Sequence, residues 1–328
     1  MTSSLYCELT NDELKMLVKE KLKTEICSAH LLTGGMFNTT YLIETKTCGK
    51  TVLRVGPINR HLLMPFEHDL MEAEEQIDRI FREYQVPRSE IMVVDTSKKL
   101  IDRDYMFVRY IPSVPLSQAE LTVQERERVV KEIGQAAAKV HSIESKRFGR
   151  IVDVKHGKGF SLWSDALIHE LQEWETVGIP TGIFTEQEHS TIQNIFERAK
   201  PYLDEIKTPC LVHADLWGGN ILIHTDREQP EFAAIIDADR ALWGDPAFDF
   251  SAIQWTYREE KFWEGYGRTL SNETADGIRR SIYILLNRLW NAYVYVAEYN
   301  QPELGEKEAE DARAQMTYLC KMLELSEI

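Results

Sequence analysis

The sequence predicts an α+β protein of two lobes, a small β-rich lobe followed by a larger and mainly helical one. Runs rich in β-branched and aromatic residues crowd the first third of the chain, at Tyr41 to Thr45, Thr51 to Val55, Ile91 to Asp95 and Tyr105 to Tyr110. Apolar residues at three- and four-residue spacing dominate the remainder. Pro112 and Pro115 stand between the two regimes, which sets the expected division at residues 1–112 and 113–328.

Taken in order, Leu14, Leu17, Val18 and Leu22 share one helical face behind a cap at Thr10 or Asn11. The runs at Tyr41 to Thr45 and Thr51 to Val55 flank a turn-like Lys46 to Lys50, so they read as a hairpin, led by the glycine pair Gly34-Gly35. Leu70, Glu74, Ile77, Phe81 and Tyr84 form the face of a helix that must end before Val86-Pro87. Glu74 is the odd member of that face, a lone carboxylate that needs a partner. Beyond Pro115, Val129, Ile133, Ala137 and Val140 mark one helix, and helical patterns cover Trp163 to Thr176 and Glu186 to Ile206. Short β runs at Cys210 to Val212 and Ile221 to His224 bracket a polar loop, and a third, Phe232 to Ile236, precedes another. The rest, from Asp249, reads as mainly helical. Its most apolar stretch, Ile282 to Tyr299, is interrupted by Asn287, Arg288, Asn291 and Glu298, which fits a buried helix and not a bilayer span.

Composition narrows the function. With 328 residues, 43% hydrophobic and 28% charged, the chain is long enough for two domains and ordinary for a globular enzyme. A net charge of −15 excludes a general nucleic-acid binder, which needs clustered lysine and arginine. The same charge suits a cationic ligand, or simply a well-solvated surface. The five cysteines are widely spaced and never form a CxxC pair, so reduced thiols are expected. No basic-then-apolar leader opens the chain, and a cytoplasmic protein without membrane contact is the expectation.

Two segments carry chemistry. The first is Leu211-Val212-His213-Ala214-Asp215-Leu216-Trp217-Gly218-Gly219-Asn220-Ile221-Leu222, and the second is Ala234-Ile235-Ile236-Asp237-Ala238-Asp239 with Gly244-Asp245-Pro246 and Asp249 behind it. Phosphoryl transfer needs a carboxylate to accept or orient the proton of an attacking hydroxyl, together with hard oxygen ligands that hold magnesium against the phosphates. Asp215 suits the first role; Asn220 and Asp237 suit the second. Gly218-Gly219 is expected to let the backbone turn tightly between them. Any one of these residues alone reads as a loop cap or turn residue, but that reading leaves their combined spacing unexplained.

Together the segments resemble the aminoglycoside phosphotransferase and choline kinase-like family, relatives of the protein kinases. Its pattern is His-x-Asp-x-x-x-x-Asn, an apolar strand ending in Ile-Asp, then Gly-Asp-Pro-x-x-Asp, and all three pieces occur here in order. The resemblance implies a bilobal protein-kinase-like fold that uses ATP (or GTP) with Mg2+. It also implies that His213, Asp245 and Asp249 brace the loops.

The likeness extends upstream. The segment Thr33 to Tyr41 is similar to the family's phosphate-covering turn, which assigns Gly34, Gly35, Asn38 and Thr39 to the nucleotide. Arg54 stands on the following strand where lysine is the commoner choice, and Glu74 is its expected helix partner. Tyr105 to Pro112 resembles the hinge that reads the adenine edge, with Val108, Arg109, Tyr110 and Ile111 assigned by position. Ser113 replaces a frequent glycine. His141 lies on an apolar stripe and reads as a satisfied core histidine.

The resulting expectation is an ATP-dependent phosphotransferase acting on an alcohol group of a small molecule, with an aminoglycoside-like antibiotic as leading acceptor. Metabolic kinases for amino alcohols, sugars, fructosamines or homoserine are the alternative, and a non-catalytic pseudokinase is a third reading. A protein kinase is disfavoured, since no Asp-Phe-Gly or Ala-Pro-Glu pattern is present. Asp239, Trp255, Glu259, Glu260, Trp263 and Glu264 are candidates for the acceptor pocket, since carboxylates and aromatic faces attract cations. The expected assembly is a monomer or homodimer.

Overall fold

A computed structural model describes residues 3–32, 35–252 and 258–325. The first helix, α1 (Asn11–Leu22), starts at a reciprocal cap in which Thr10 accepts from the Glu13 N–H and Glu13 accepts from that of Thr10. Five strands follow, β1 (Ile26–Leu32), β2 (Thr39–Thr45), β3 (Gly49–Val55), β4 (Ile91–Asp95) and β5 (Tyr105–Arg109), with α2 (Leu70–Glu83) inserted after β3. They form an antiparallel sheet in the order β1-β2-β3-β5-β4. Leu14, Leu17 and Val18 of α1 pack on Tyr41, Ile43, Leu53, Val55, Tyr105 and Phe107, which gives this sheet its own core.

The sequence reading has no β1. At the sheet edge none of its seven residues is buried, so no alternation of apolar and polar residues marks it. The β2–β3 hairpin therefore follows a strand that only backbone pairing reveals.

The sheet ends at Arg109, and the next strand, β6 (Val114–Pro115), joins a different one. The remainder is mainly helical: α3 (Val123–His141), α4 (Ile151–Lys155), α5 (Trp163–Gly178), α6 (Glu186–Leu203), α7 (Asp249–Ala252), α8 (Glu260–Tyr266), α9 (Thr274–Tyr293) and α10 (Pro302–Met322). Two small sheets lie among them. One pairs β6 with β9 (Ile221–His224) and β10 (Glu231–Ile235); the other pairs β7 (Gly149–Arg150), β11 (Leu242–Gly244) and β8 (Cys210–Val212). The expected strands at 210–212 and 221–224 are reproduced, and the third is displaced by one residue.

Helix α2 joins the two regions. Its Met71 packs with Met106 and Val108 of the large sheet, while Ile77 and Phe81 enter the core built on Val129, Ile133 and Leu211. It also rests on the turn at Ala238 to Arg240, which brings Glu74 beside Asp237 and Asp239. The apolar stretch from Ile282 is not one helix: α9 ends at Tyr293 and a single π-helical turn, Val294–Glu298, redirects the chain. No helix among the described residues is long and apolar enough to cross a membrane.

Candidate active site

The loop between β8 and β9 is held from beneath by one carboxylate. Asp249 accepts from the His213 N–H at 3.0 Å and the Ala214 N–H at 2.7 Å, and its Oδ2 lies 2.8 Å from His141 Nε2. His141 Nδ1 in turn meets the Tyr266 hydroxyl at 2.7 Å, so this core histidine is satisfied at both nitrogens. Ala214 has φ +65°, a conformation disfavoured for a residue with a β-carbon and sustained here by that anchoring. His213 ties the two loops together. Its Nδ1 accepts from the Asp215 N–H at 3.2 Å and its Nε2 donates to the Ile236 carbonyl at 3.1 Å. Burial keeps this ring below its usual pKa, hence neutral, as the two opposite hydrogen-bonding roles require.

Asn220 closes the loop, its Nδ2 donating to Asp215 Oδ2 at 2.8 Å and to the Asp215 carbonyl at 2.9 Å. The amide oxygen is therefore the atom left for a ligand. The loops lie side by side as expected, with the Ile236 N–H on the Asn220 carbonyl at 2.9 Å. The chain turns at Gly218-Gly219 as expected, the Asn220 N–H donating to the Trp217 carbonyl at 2.9 Å, although neither glycine has positive φ. A β-carbon at Gly219 would sit 2.3 Å from the Trp217 ring, and one at Gly218 3.3 Å from the Ser117 nitrogen, so what this turn requires of glycine is close approach and not left-handed backbone.

These groups open onto a cavity of about 700 Å³ between the large sheet, α2 and the two loops, lined by Asp215, Asn220, Asp237, Asp239, Arg54 and Glu74 among others. Arg54 reaches from β3 to pair with both Glu74 and Asp237, and lies 3.5 Å from Asp239. One guanidinium thus serves three carboxylates whose oxygens lie within 4.8 Å of one another. Burial would raise Asp237, but Arg54 and then His213 and a hydrogen bond with Asp239 together outweigh it and hold this carboxyl below its usual range. Burial and then the charge of Asp237 push Asp239 well above that range. Burial raises Glu74 to about 7, against the pull of Arg54. Asp215 is also raised to about 7, first by burial and then by Asp237, with Arg240 and Asn220 opposing. An excess of hard oxygen donors over positive charge is the donor set a magnesium ion needs.

Of the residues assigned to the nucleotide, Gly35, Asn38, Arg54, Glu74, Val108, Arg109, Tyr110 and Ile111 line this cavity. Gly34 lies outside the described residues. Thr39 must be corrected: it is fully buried away from the cavity, where its hydroxyl donates to the Cys7 carbonyl at 3.0 Å and accepts from Arg103 at 3.0 Å. The cause is the alternation along β2, which turns every second side chain to the opposite face. The Val108 carbonyl is already engaged by the Thr51 hydroxyl at 2.8 Å. Asp245 accepts from the Ala247 N–H at 3.0 Å and the Tyr283 hydroxyl at 2.8 Å.

The acceptor candidates divide. Asp239 lines the cavity, and Trp255 lies outside the described residues. Glu259, Glu260, Trp263 and Glu264 do not line it. Helix α8 packs along α3 with Phe262 and Tyr266 buried, which turns its acidic face to solvent. There Glu259 pairs with Arg126 at 2.6 Å, and Glu264 pairs with Lys131 at 2.5 Å and Lys261 at 2.6 Å. Trp263 packs against Phe250, ring centroids 5.1 Å apart.

The profile of the phosphotransferase enzyme family matches residues 28–280 of this chain. The chain belongs to that family. It is 29% identical over 199 residues to the viomycin phosphotransferase of Streptomyces vinaceus, a match covering 60% of this chain and 64% of that protein, so it spans under two thirds of the relative's length. Its fold is shared with a thermostable variant of aminoglycoside phosphotransferase APH(4)-Ia in ternary complex with AMP-PNP and hygromycin B. That match has a TM-score of 0.64 and 15% identity over 94% of this chain and 98% of the other. The ternary complex of streptomycin, ATP and APH(2'')-IIa matches at a TM-score of 0.65, with 16% identity over 94% and 99%. The protein-kinase-like arrangement of this phosphotransferase family is thus the fold of the chain.

Within this family framework the sequence reading misses Arg88, Trp217, Arg240 and Tyr299, all of which line the cavity. Arg240 carried a signal, standing three residues after Asp237 in the motif itself; it pairs with the buried Glu67 at 2.6 Å. Tyr299 carried none. It follows the π-helical turn, and only the return of the C-terminal region brings it to the site.

Proposed function

We propose that the chain transfers the terminal phosphoryl group of a magnesium-bound nucleoside triphosphate, ATP or GTP, to a hydroxyl of a small molecule. The observation that carries this reading is the convergence on one cavity of Asp215, bonded to Asn220, with Asp237 and the Arg54–Glu74 pair. Magnesium, when bound, neutralises charge across the phosphates. Asn220, through its free amide oxygen, and Asp237 would hold it. Arg54, steadied by Glu74, exchanges its hold on Asp237 for the triphosphate and forks onto phosphate oxygens as a permanently charged donor. Asp215 orients the acceptor hydroxyl and takes its proton as the new O–P bond forms and the bond to the β-phosphate oxygen breaks, the electron pair leaving with the nucleoside diphosphate. Burial of Asp215 suits this, since a carboxyl that titrates near 7 is basic enough to receive a proton and still about half ionised at neutral pH.

In this reading residues 1–112 form the nucleotide-binding lobe and residues 113–328 the catalytic and acceptor-binding lobe of a cytoplasmic enzyme. The backbone at Tyr110 and Ile111 meets the purine edge. The leading acceptor is an aminoglycoside-like, amine-bearing antibiotic, a choice supported by the match to viomycin phosphotransferase and by the drugs bound in the two solved relatives. The test is to incubate the protein with Mg2+, ATP or GTP and a panel of amine-bearing and neutral alcohols, and to follow phosphate transfer by mass spectrometry. A mass gain of one phosphate on an antibiotic, abolished by Asp215→Asn, is the expected result. Equal transfer by the two proteins would remove Asp215 from the reaction.

A further inference from the structure

Of the arginines that line the cavity besides Arg54, Arg109 pairs with Glu90 and Arg240 with Glu67, and Arg88 has no part in the phosphate chemistry. Arg88 follows α2 and lines the cavity with its side chain 18% exposed. Its Nε donates to Asp78 Oδ1 at 2.6 Å, and Asp78, buried on α2, is fixed further by Arg82 at 3.1 Å and the Ile91 N–H at 3.3 Å. Among the described residues nothing accepts a hydrogen bond from either terminal nitrogen of Arg88. Its backbone neighbours locate it. Pro87 accepts from the Ile235 N–H at 3.0 Å, on the strand that leads to Asp237. On the other side Ser89 donates to the Arg109 carbonyl at 2.7 Å, and Glu90 accepts from the Arg109 N–H at 2.8 Å. Arg88 therefore stands in the wall between the hinge backbone and the Asp237 loop, where the edge of a bound base would face it.

A guanidinium anchored through Nε presents its two terminal nitrogens as a planar fork. Guanine offers such a fork two acceptors, O6 and N7, whereas adenine offers N7 and sets the N6 amino group against an N–H. We propose that Arg88, fixed by Asp78, recognises O6 and N7 of guanine, so that GTP serves as phosphoryl donor alongside ATP and binds the more tightly. This rests on the nucleotide reading above.

The experiment is calorimetric titration of the whole protein with Mg2+ and ATP, GTP or inosine triphosphate, without acceptor. Hypoxanthine keeps O6 and N7 but lacks the 2-amino group. GTP and inosine triphosphate should bind about tenfold more tightly than ATP, the scale of one bidentate pair. Arg88→Ala should erase that ratio while leaving ATP affinity within about twofold, and Arg88→Lys should keep part of it. Tighter binding of ATP overturns the proposal, and so does inosine triphosphate behaving like ATP, or a ratio that survives Arg88→Ala. These wild-type comparisons decide even if Arg88→Ala fails to fold. Failure of all three nucleotides to bind would sink the phosphotransferase reading and this one with it, whereas binding of ATP alone sinks only this one.

Discussion

Two groups of three acidic residues in this protein have opposite fates. Glu259, Glu260 and Glu264 sit on or beside α8, and Glu74, Asp237 and Asp239 sit around Arg54. On α8 the two paired glutamates have basic partners of their own in water, Arg126 for one and Lys131 and Lys261 for the other. Around Arg54 three half-buried or buried carboxylates share one cation, so their titration is coupled and one of them, Asp239, is pushed strongly toward the neutral form. The difference teaches that carboxylate content does not make a cation site. Solvent and ready partners satisfy the first group, while burial leaves the second with unmet demand for positive charge, which a metal ion can supply.

The strongest way to break this comparison is to remove a member of the buried group. Asp237→Ala is expected to lower turnover by roughly 10²–10⁴-fold, and raised magnesium should not restore it; near-normal turnover at limiting magnesium would end the metal assignment. Asp215→Asn should cost a similar factor and leave nucleotide affinity nearly intact, read by titration calorimetry beside single-turnover kinetics.

Asp215 also sharpens the comparison through pH. Its carboxyl must be ionised to accept a proton, so kcat/KM should rise with pH through about 7. Stability should move the other way. The folded-state pKa lies above the usual 3.8, so between about 4 and 7 the native protein binds more protons than the unfolded chain, and stability falls as pH rises across that window. Asp215→Asn removes this contribution, and the mutant's melting temperature should exceed the wild type's at pH 8 by more than at pH 5. An equal difference at both values would show that Asp215 titrates normally.

Next in size is the brace. Asp249→Ala leaves the buried N–H groups of His213 and Ala214 without an acceptor, a destabilisation on the order of 3 kcal/mol by denaturant titration, with turnover reduced as Ala214 relaxes from its left-handed conformation. Smaller still is the coupling of Arg54 with Glu74. Arg54→Ala should chiefly raise the KM for nucleotide, Glu74→Ala more mildly, and the double mutant should be non-additive by about 0.5–3 kcal/mol in transition-state free energy. Strict additivity would mean that the pair acts as two independent groups. At the far end, Glu264→Gln on α8 should change kcat/KM for an amine-bearing acceptor by less than about twofold, because its charge is screened and off the cavity. A tenfold loss would place α8 in the acceptor site after all.

The sequence by itself determined the phosphotransferase loops, because their residues are close in the chain. His213, Asp215 and Asn220 lie within eight positions, and the short strands on either side fix where they point. The Arg54–Glu74 pairing is legible there as well: a carboxylate on an otherwise apolar helix face needs a cation, and the family resemblance points to Arg54 as that cation. The tertiary structure decided the rest. Strand β1 leaves no mark in the sequence because an exposed edge strand needs no apolar alternation, and the burial of Thr39 leaves none because the face of β2 that meets the cavity depends on where the sheet lies. Which acids stay in water and which are buried around Arg54 follows from α8 packing on α3 and α2 packing on the turn after Asp237, contacts between segments distant in sequence. Local spacing encodes what a short loop can do; exposure, partnership and the reach of Arg88 and Tyr299 into the cavity are properties of chain segments brought together only by folding.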